Sequence, residues 1–218
     1  MNSKASLFLI VEDHPETAEN NCYFLRELES SAHCIIAQTP EQALERLKLE
    51  TPELIVVDLQ FGKISGEKSA EPGLNLLTKI FEQYQTLNIV VYSNDPLYMT
   101  RLAREINNHR GGFAVVDKMQ SRNAFLEGTK CALQGGMYAP KQLLREIPLT
   151  EREMEVLRLL CQECLKDKSI AEEIKLTLRA VQSHVSNLKV KLGIDSLDEK
   201  VTNMRVALCK EAQKRKLI

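Results

Sequence analysis

LFLIV at residues 7–11, LIVV at 54–57 and IVVY at 89–92 decide the fold. Each is a short, β-branched apolar run that stops at a polar side chain, as strands buried on both faces do. Weaker runs at 33–37 (HCIIA) and 113–116 (FAVV) bring the count to five. Helical patterns fill the intervals at 16–29, 40–49, 73–84, 96–106 and 121–134, with Leu74, Leu77 and Phe81 spaced by three and four. Strict alternation of this kind requires right-handed crossovers, which place helices on both faces of one sheet. The first 134 residues therefore predict a doubly wound, five-stranded parallel α/β domain. Gly135, Gly136, Pro140 and Pro148 punctuate a linker over 135–148, after which no strand pattern appears. Residues 149–218 read as a small, all-α domain of four helices.

Composition excludes other classes. The 218 residues carry 29 basic and 30 acidic side chains, 44% are hydrophobic, and Gly and Pro number only 9 and 7. That is enough apolar material for folded cores and too little Gly and Pro for collagen or low-complexity sequence. No apolar run approaches the roughly 18 residues that span a bilayer. The apolar run at the start meets Glu12 and Asp13 after five residues, so the beginning does not read as a signal peptide. A cytoplasmic protein with no membrane partner is expected. Its six cysteines then stay reduced, with no disulfide framework. Charge is uneven: residues 1–148 hold 15 basic and 19 acidic side chains, and residues 149–218 hold 14 and 11. A net positive C-terminal part in a neutral chain suits a polyanion partner.

The polar residues that end the strands carry the chemistry. Strand one ends at Glu12 and Asp13, the third at Asp58, the fourth at Ser93 and the fifth at Lys118. In the flavodoxin-like order 2-1-3-4-5, strands one and three are neighbours at the switch point, so Asp13 and Asp58 face one crevice. Clustered carboxylates repel unless a cation neutralises them, and hard oxygen ligands suit Mg2+. An ammonium and a hydroxyl beside them would stabilise phosphoryl oxygens arriving at one carboxylate.

Glu12-Asp13-His14-Pro15, Asp58 after LIVV, Ser93 after VVY and Lys118 after FAVVD together resemble the receiver domain of two-component response regulators, over about 134 residues. The resemblance implies that Asp58 accepts a phosphoryl group from a sensor histidine kinase. It implies that Asp13, Asp58 and the Gln60 carbonyl ligate Mg2+, with Glu12 helping through water, and that Ser93 and Lys118 contact the phosphoryl oxygens. Three departures stand out. Phe61, Gly62 and Gly66 occupy places usual for Met, Pro and Gly, Val115 replaces a switch aromatic, and Met119 follows Lys118 where Pro is common. Gly73-Leu74-Asn75-Leu76-Leu77 repeats the helix-start motif, which leaves about seven extra residues in the loop of 59–72. That loop, polar and flexible, reads as a tolerated surface insertion.

Thr150-Glu151-Arg152-Glu153 is a capping box, followed by Met154, Leu157, Leu160 and Cys161 at helical spacing. Asp167 suits the cap of a short second helix and Thr177 that of a third, which runs to Leu192. So tight a junction is a helix-turn-helix. The third helix buries Val181, Val185, Leu188 and Leu192. Its other side carries Arg179, Gln182, Ser183, Ser186 and Lys189, and no acidic residue occurs from Lys175 to Ile194. Residues 149–195, with GGMYAP at 135–140, closely resemble LuxR-type helix-turn-helix regulators of the NarL/FixJ subfamily. The resemblance implies a DNA-binding transcription regulator, homodimeric when active. It places Gln182, Ser183 and Ser186 at base edges, and Lys168, Lys175, Arg179, Lys189 and Lys191 on backbone phosphates. Ala180 stands where Thr is frequent. A last helix near 197–214 would supply a dimer contact and end in a frayed basic tail, KEAQKRKLI.

Cys161 and Cys164 form a lone C-x-x-C pair, which makes no structural zinc site and reads as helix core. Cys164 stands where the family has Gly, so a redox effect on DNA binding is worth an assay. An alternative function keeps the fold but sets activity through partner proteins or redox rather than phosphorylation. An enzyme is disfavoured, because no substrate pocket is evident and the C-terminal half would go unexplained.

Overall fold

The computed structural model describes residues 6–62, 68–140, 143, 148–194 and 203–218. The chain divides into two compact units, Met1–Pro96 with Glu105–Leu144 and Leu97–Arg104 with Arg145–Ile218.

In chain order the first part of the sequence forms β1 (Leu7–Val11), α1 (Pro15–Leu28), β2 (His33–Ala37), α2 (Pro40–Leu49), β3 (Leu54–Val57), β4 (Phe61–Gly62), β5 (Lys68–Ser69) and α3 (Glu71–Gln83). There follow β6 (Asn88–Ser93), a 3-10 turn (Pro96–Leu102), α4 (Ala103–Asn108), β7 (Phe113–Asp117), α5 (Arg122–Leu133) and β8 (Met137–Tyr138). The main sheet is parallel with order β2-β1-β3-β6-β7-β8. It has six strands rather than five, because Met137 and Tyr138 pair with Phe113 and Ala114. Gly135, at φ 75°, turns the chain out of α5 toward that edge. A two-residue strand has no alternation to read, so the stretch passes for linker.

All four residues of β3 are buried, and so are four of the five in β1. Phe8, Ile10, Leu25, Val56, Val90 and Phe125 belong to one continuous core. Each such side chain stabilises by about 1.5–3 kcal/mol through loss of water contact. Thr39 caps α2 by accepting from the Gln42 N–H, and Ser121 caps α5 by accepting from the Ala124 N–H. The helix expected over 96–106 is instead a 3-10 turn that passes into α4. The Thr100 hydroxyl donates to the Leu97 carbonyl, three residues back, which favours the tighter winding.

Four described residues of the segment after Asp58 form a short antiparallel pair. Phe61 and Gly62 pair antiparallel with Ser69 and Lys68, and Phe61 is buried. Residues 63–67 of the loop, including Gly66, lie outside the described residues. Gly73, in the first turn of α3, lies against Leu59: a Cβ there would sit 2.5 Å from the Leu59 Cα and carbonyl oxygen. Backbone on one side of that contact cannot yield without moving the residue next to Asp58. Gly73→Ala is therefore expected to cost about 1–3 kcal/mol through overpacking, read as a lower denaturation midpoint with displaced Asp58 and Gln60 amide resonances. Unchanged resonances would contradict this.

The second unit contains α6 (Glu151–Cys161), α7 (Asp167–Glu173), α8 (Leu178–Lys191) and α9 (Met204–Lys214) around Val156, Leu157, Ile170, Val181, Leu188 and Leu208. The capping box forms: Thr150 Oγ1 accepts from the Glu153 N–H at 3.2 Å, and Glu153 Oε2 from the Thr150 N–H at 2.8 Å. Thr177 caps α8 through the Ala180 N–H.

Three expectations are corrected. Asp167 is not a cap; Lys166 holds that position without a side-chain bond, because the Asp167 carboxylate pairs with Arg205 at 2.6 Å. The C-terminal tail is not frayed: Leu217 is buried, its N–H donates to the Ala212 carbonyl, and Arg215 Nε donates to Glu211. Finally, Cys161 and Cys209 are joined in a disulfide, so the cysteines are not all reduced. α9 begins at Met204 with Asn203 as cap, and the expected start of that helix, including Val201, lies outside the described residues. Among the described residues no helix is long and apolar enough to cross a membrane.

Candidate functional site

Backbone pairing in the first unit sets the site. The Asp58 N–H donates to the Val11 carbonyl, the Lys118 N–H to the Ser93 carbonyl and the Glu12 N–H to the Ala37 carbonyl. These bonds bring the ends of β1, β3, β6 and β7 to one edge. Glu12, Asp58 and Ser93 are 2%, 3% and 0% exposed. Lys118 Nζ donates to Glu12 Oε2 at 2.6 Å and to Asp58 Oδ2 at 2.8 Å. The Gln60 N–H donates to Asp58 Oδ1 at 3.1 Å, and the Gly62 N–H to Asp13 Oδ2 at 2.9 Å. His14 Nδ1 lies 2.6 Å from Asp13 Oδ1.

The electrostatics follow from these contacts. Burial pushes the Glu12 carboxyl above its ordinary range, and the Lys118 ammonium only partly offsets it. Burial also opposes charge on Lys118, yet Asp58 and Glu12 together hold its ammonium more firmly than water does. At Asp13 the modest cost of burial is outweighed by the Gly62 N–H and His14, which lower its pKa. Three carboxyl groups, Glu12, Asp13 and Asp58, gather against one ammonium, an oxygen-rich edge suited to a cation. The Ser93 hydroxyl is buried with no hydrogen-bond partner among the described residues. An orphaned donor in a polar site is the mark of a place made for another group. Glu12, Asp13 and His14 are the one group of three metal-capable side chains among the described residues whose ligand atoms lie within 4.8 Å of one another.

The five expected side chains thus gather at one edge. His14 and Gly62 were missed as partners of Asp13. Nothing in the sequence marks a backbone N–H as a ligand, and only the adjacency of His14 to Asp13 hinted at the imidazole. Val115 is buried, while Tyr92 packs on Phe125 with ring centroids 4.6 Å apart.

In the second unit, α8 buries Val181, Val185 and Leu188 and exposes Arg179, Gln182, Ser183 and Ser186. Lys168 and Lys175 are exposed, and Lys189 is half-buried. Lys175 takes φ 55°, the left-handed turn between α7 and α8. Lys191 is placed differently from the others: its ammonium donates to Glu153 Oε2 at 2.7 Å and to the Pro148 carbonyl at 3.1 Å. His184 is half-buried on this helix.

A doubly wound sheet with this carboxylate edge is followed in the chain by a helix-turn-helix unit. Residues 147–204 match the family described as bacterial regulatory proteins, luxR family, and form its helix-turn-helix domain. The chain is 22% identical over 211 residues to the Fimbriae Z protein of Salmonella typhimurium, covering 90% of this chain and 94% of that one. It is 23% identical over 193 residues to the transcriptional regulatory protein DegU of Brevibacillus brevis, covering 74% and 76%. In fold it is similar to RcsB in a structure of two RcsB dimers bound to two parallel DNAs, with TM-score 0.58, 20% identity and coverage of 96% and 98%. It is also similar to the RcsB response regulator of Salmonella typhimurium, with TM-score 0.59, 17% identity and coverage of 95% and 99%.

Proposed function

We propose that this chain is a DNA-binding transcription regulator controlled by phosphorylation of Asp58 by a sensor histidine kinase, with Mg2+ at the site. The observation that carries the reading is the convergence on Asp58 of an ammonium and an unpartnered hydroxyl at the strands' carboxyl ends. The oxygen-rich edge fits the cation. Glu12, Asp13, Asp58 and the Gln60 carbonyl would hold it, and when bound it neutralises charge on the phosphoryl oxygens. One Asp58 oxygen attacks phosphorus as the phosphorus–nitrogen bond of the donor phosphohistidine breaks. Lys118 then passes its hydrogen bond from Asp58 to a phosphoryl oxygen, and Ser93 donates to another. Burial of Glu12 and Asp58 excludes water from the nucleophile, while Lys118 stays protonated throughout.

The α8 surface supports the output. Gln182 suits a paired contact with adenine N6 and N7, and Ser183 and Ser186 suit either base type. Lys168, Lys175, Arg179 and Lys189 suit backbone phosphates, with Lys191 the one candidate whose charge is already neutralised within its unit. A homodimer on paired half-sites is the active form. With about four phosphates neutralised per protomer, log K against log salt should fall with a slope of about −3 to −4 per protomer. Gln182→Ala should cost about 1–3 kcal/mol at its cognate base pair and little on unrelated DNA. A salt-independent affinity would contradict this assignment of α8.

A second reading, an atypical receiver set by partner proteins or redox, is favoured by one feature: both Asp13 oxygens already have partners, His14 and Gly62. Footprinting on genomic fragments with and without beryllofluoride separates the two. Stronger protection with the phosphate mimic supports phosphorylation control, and equal protection supports the second reading.

A further inference from the structure

Three of the chain's cysteines meet in the second unit, and the site and output surface described above use none of them. Cys161, the last residue of α6, is bonded to Cys209 in α9, with Cα atoms 5.4 Å apart across 48 residues of sequence. Cys164 is a free, exposed thiol three residues beyond Cys161. Its Sγ lies 3.9 Å from the Cys161 carbonyl oxygen. All three cysteines line one open groove of about 480 Å3, together with Lys166 and Lys210.

Cys164 shares its left-handed backbone with Lys175 and Lys216. Its φ is 55°, the left-handed conformation that closes a helix and that glycine adopts without cost. The contrast within the chain is clear. Burial and the neighbouring Cys22 push the Cys34 thiol up to about 12, which leaves it inert, whereas Cys164 faces solvent beside a disulfide.

We infer that Cys161, Cys164 and Cys209 form an internal thiol–disulfide exchange site that releases α9 from α6. The Cys164 thiol gives its proton to water, and its thiolate attacks Cys161 Sγ. The Cys161–Cys209 bond breaks as a Cys161–Cys164 bond forms. Cys209 leaves as a thiolate and takes up a proton. No electrons are gained or lost, so no outside oxidant or reductant is needed. Attack falls on Cys161 because it is the nearer half of the disulfide along the chain, three residues from Cys164, and lines the same groove. After exchange α9 keeps the packing of Leu208 and Ala212 and the Arg205 ion pair with Asp167, but loses its covalent tie.

Peptide mapping of the full chain tests this. Protein purified without reductant is incubated at neutral pH, quenched in acid, alkylated and cut with trypsin, which yields peptides 159–166 and 206–210. Wild type is expected to give two species: these peptides cross-linked, and peptide 159–166 lighter by two hydrogens beside peptide 206–210 alkylated at Cys209. Cys164→Ser, at an exposed position, should give the cross-linked pair alone. Amide exchange over residues 204–214 should be faster in wild type than in that variant. Wild type that shows only the cross-linked pair with Cys164 fully alkylated, or all three cysteines alkylated, would overturn the inference. So would equal exchange of α9 in the two proteins.

Discussion

Asp58→Ala is expected to reduce phosphoryl labelling by acetyl phosphate and Mg2+ to background, and to leave DNA affinity at its unstimulated level with or without the donor. The variant removes the carboxylate that has both Lys118 and the Gln60 N–H on its oxygens. It should do so without unfolding the sheet. Lys118 keeps its 2.6 Å bond to Glu12, and the pair that remains is one cation with one anion in place of one cation with two. Stability should therefore stay within about 1 kcal/mol of wild type. Lys118→Ala makes the opposite prediction. Glu12 and Asp58, both buried, would face each other with no ammonium between them, at a cost of about 3–5 kcal/mol. Chemical denaturation of the two variants separates the roles: an Asp58→Ala protein as unstable as Lys118→Ala would show that Asp58 is a structural ion-pair partner first.

Glu153→Ala should strongly destabilise the helical unit. The carboxylate closes the capping box through the Thr150 N–H, and it is the partner of Lys191 at 2.7 Å while itself only 3% exposed. Its loss leaves an N-terminal amide of α6 open and the Lys191 ammonium with the Pro148 carbonyl alone. A cap is worth about 1 kcal/mol, and breaking a buried pair costs about 3–5 kcal/mol. Because Lys191 is part-exposed, the total is about 3 kcal/mol, or roughly 12–24 °C in a unit of this size. The pH dependence has a definite sign. Burial alone would raise the Glu153 pKa, but Lys191 and Thr150 lower it below its ordinary 4.5. Its folded value thus lies under its unfolded one, so the stabilisation is complete above about pH 4.5 and is lost as pH falls through the lower folded value. Glu153→Gln should flatten that part of the profile; an unchanged acid limb would place the stabilisation elsewhere.

The sheet was legible because β1, β3 and β6 are apolar runs of uniform type that end in charge or hydroxyl, a local signal. The carboxylate edge was legible for the same reason: strand ends in a parallel sheet lie together once the order is known. The capping box at Thr150 and the Thr177 cap are likewise local. What escaped depends on residues far apart in sequence. Asp167 reads as a cap until Arg205, 38 positions on, takes its carboxylate. Cys161 reads as helix core until α9 brings Cys209 to it. Met137 and Tyr138 become a strand only because β7 offers an edge. Lys191 reads as one of several surface cations until Glu153 is seen beneath it. The expected sheet order held, with a sixth strand added beside β7.

Phosphoryl acceptance by Asp58 at a cation-dependent site can be read from a single mass. Intact mass of the full chain after incubation with acetyl phosphate, with Mg2+ and with chelator, tests it most directly. One added phosphoryl group is expected, dependent on Mg2+, labile in alkali and absent from Asp58→Ala. A wild-type mass unchanged in Mg2+, or a group that persists in Asp58→Ala, would contradict it.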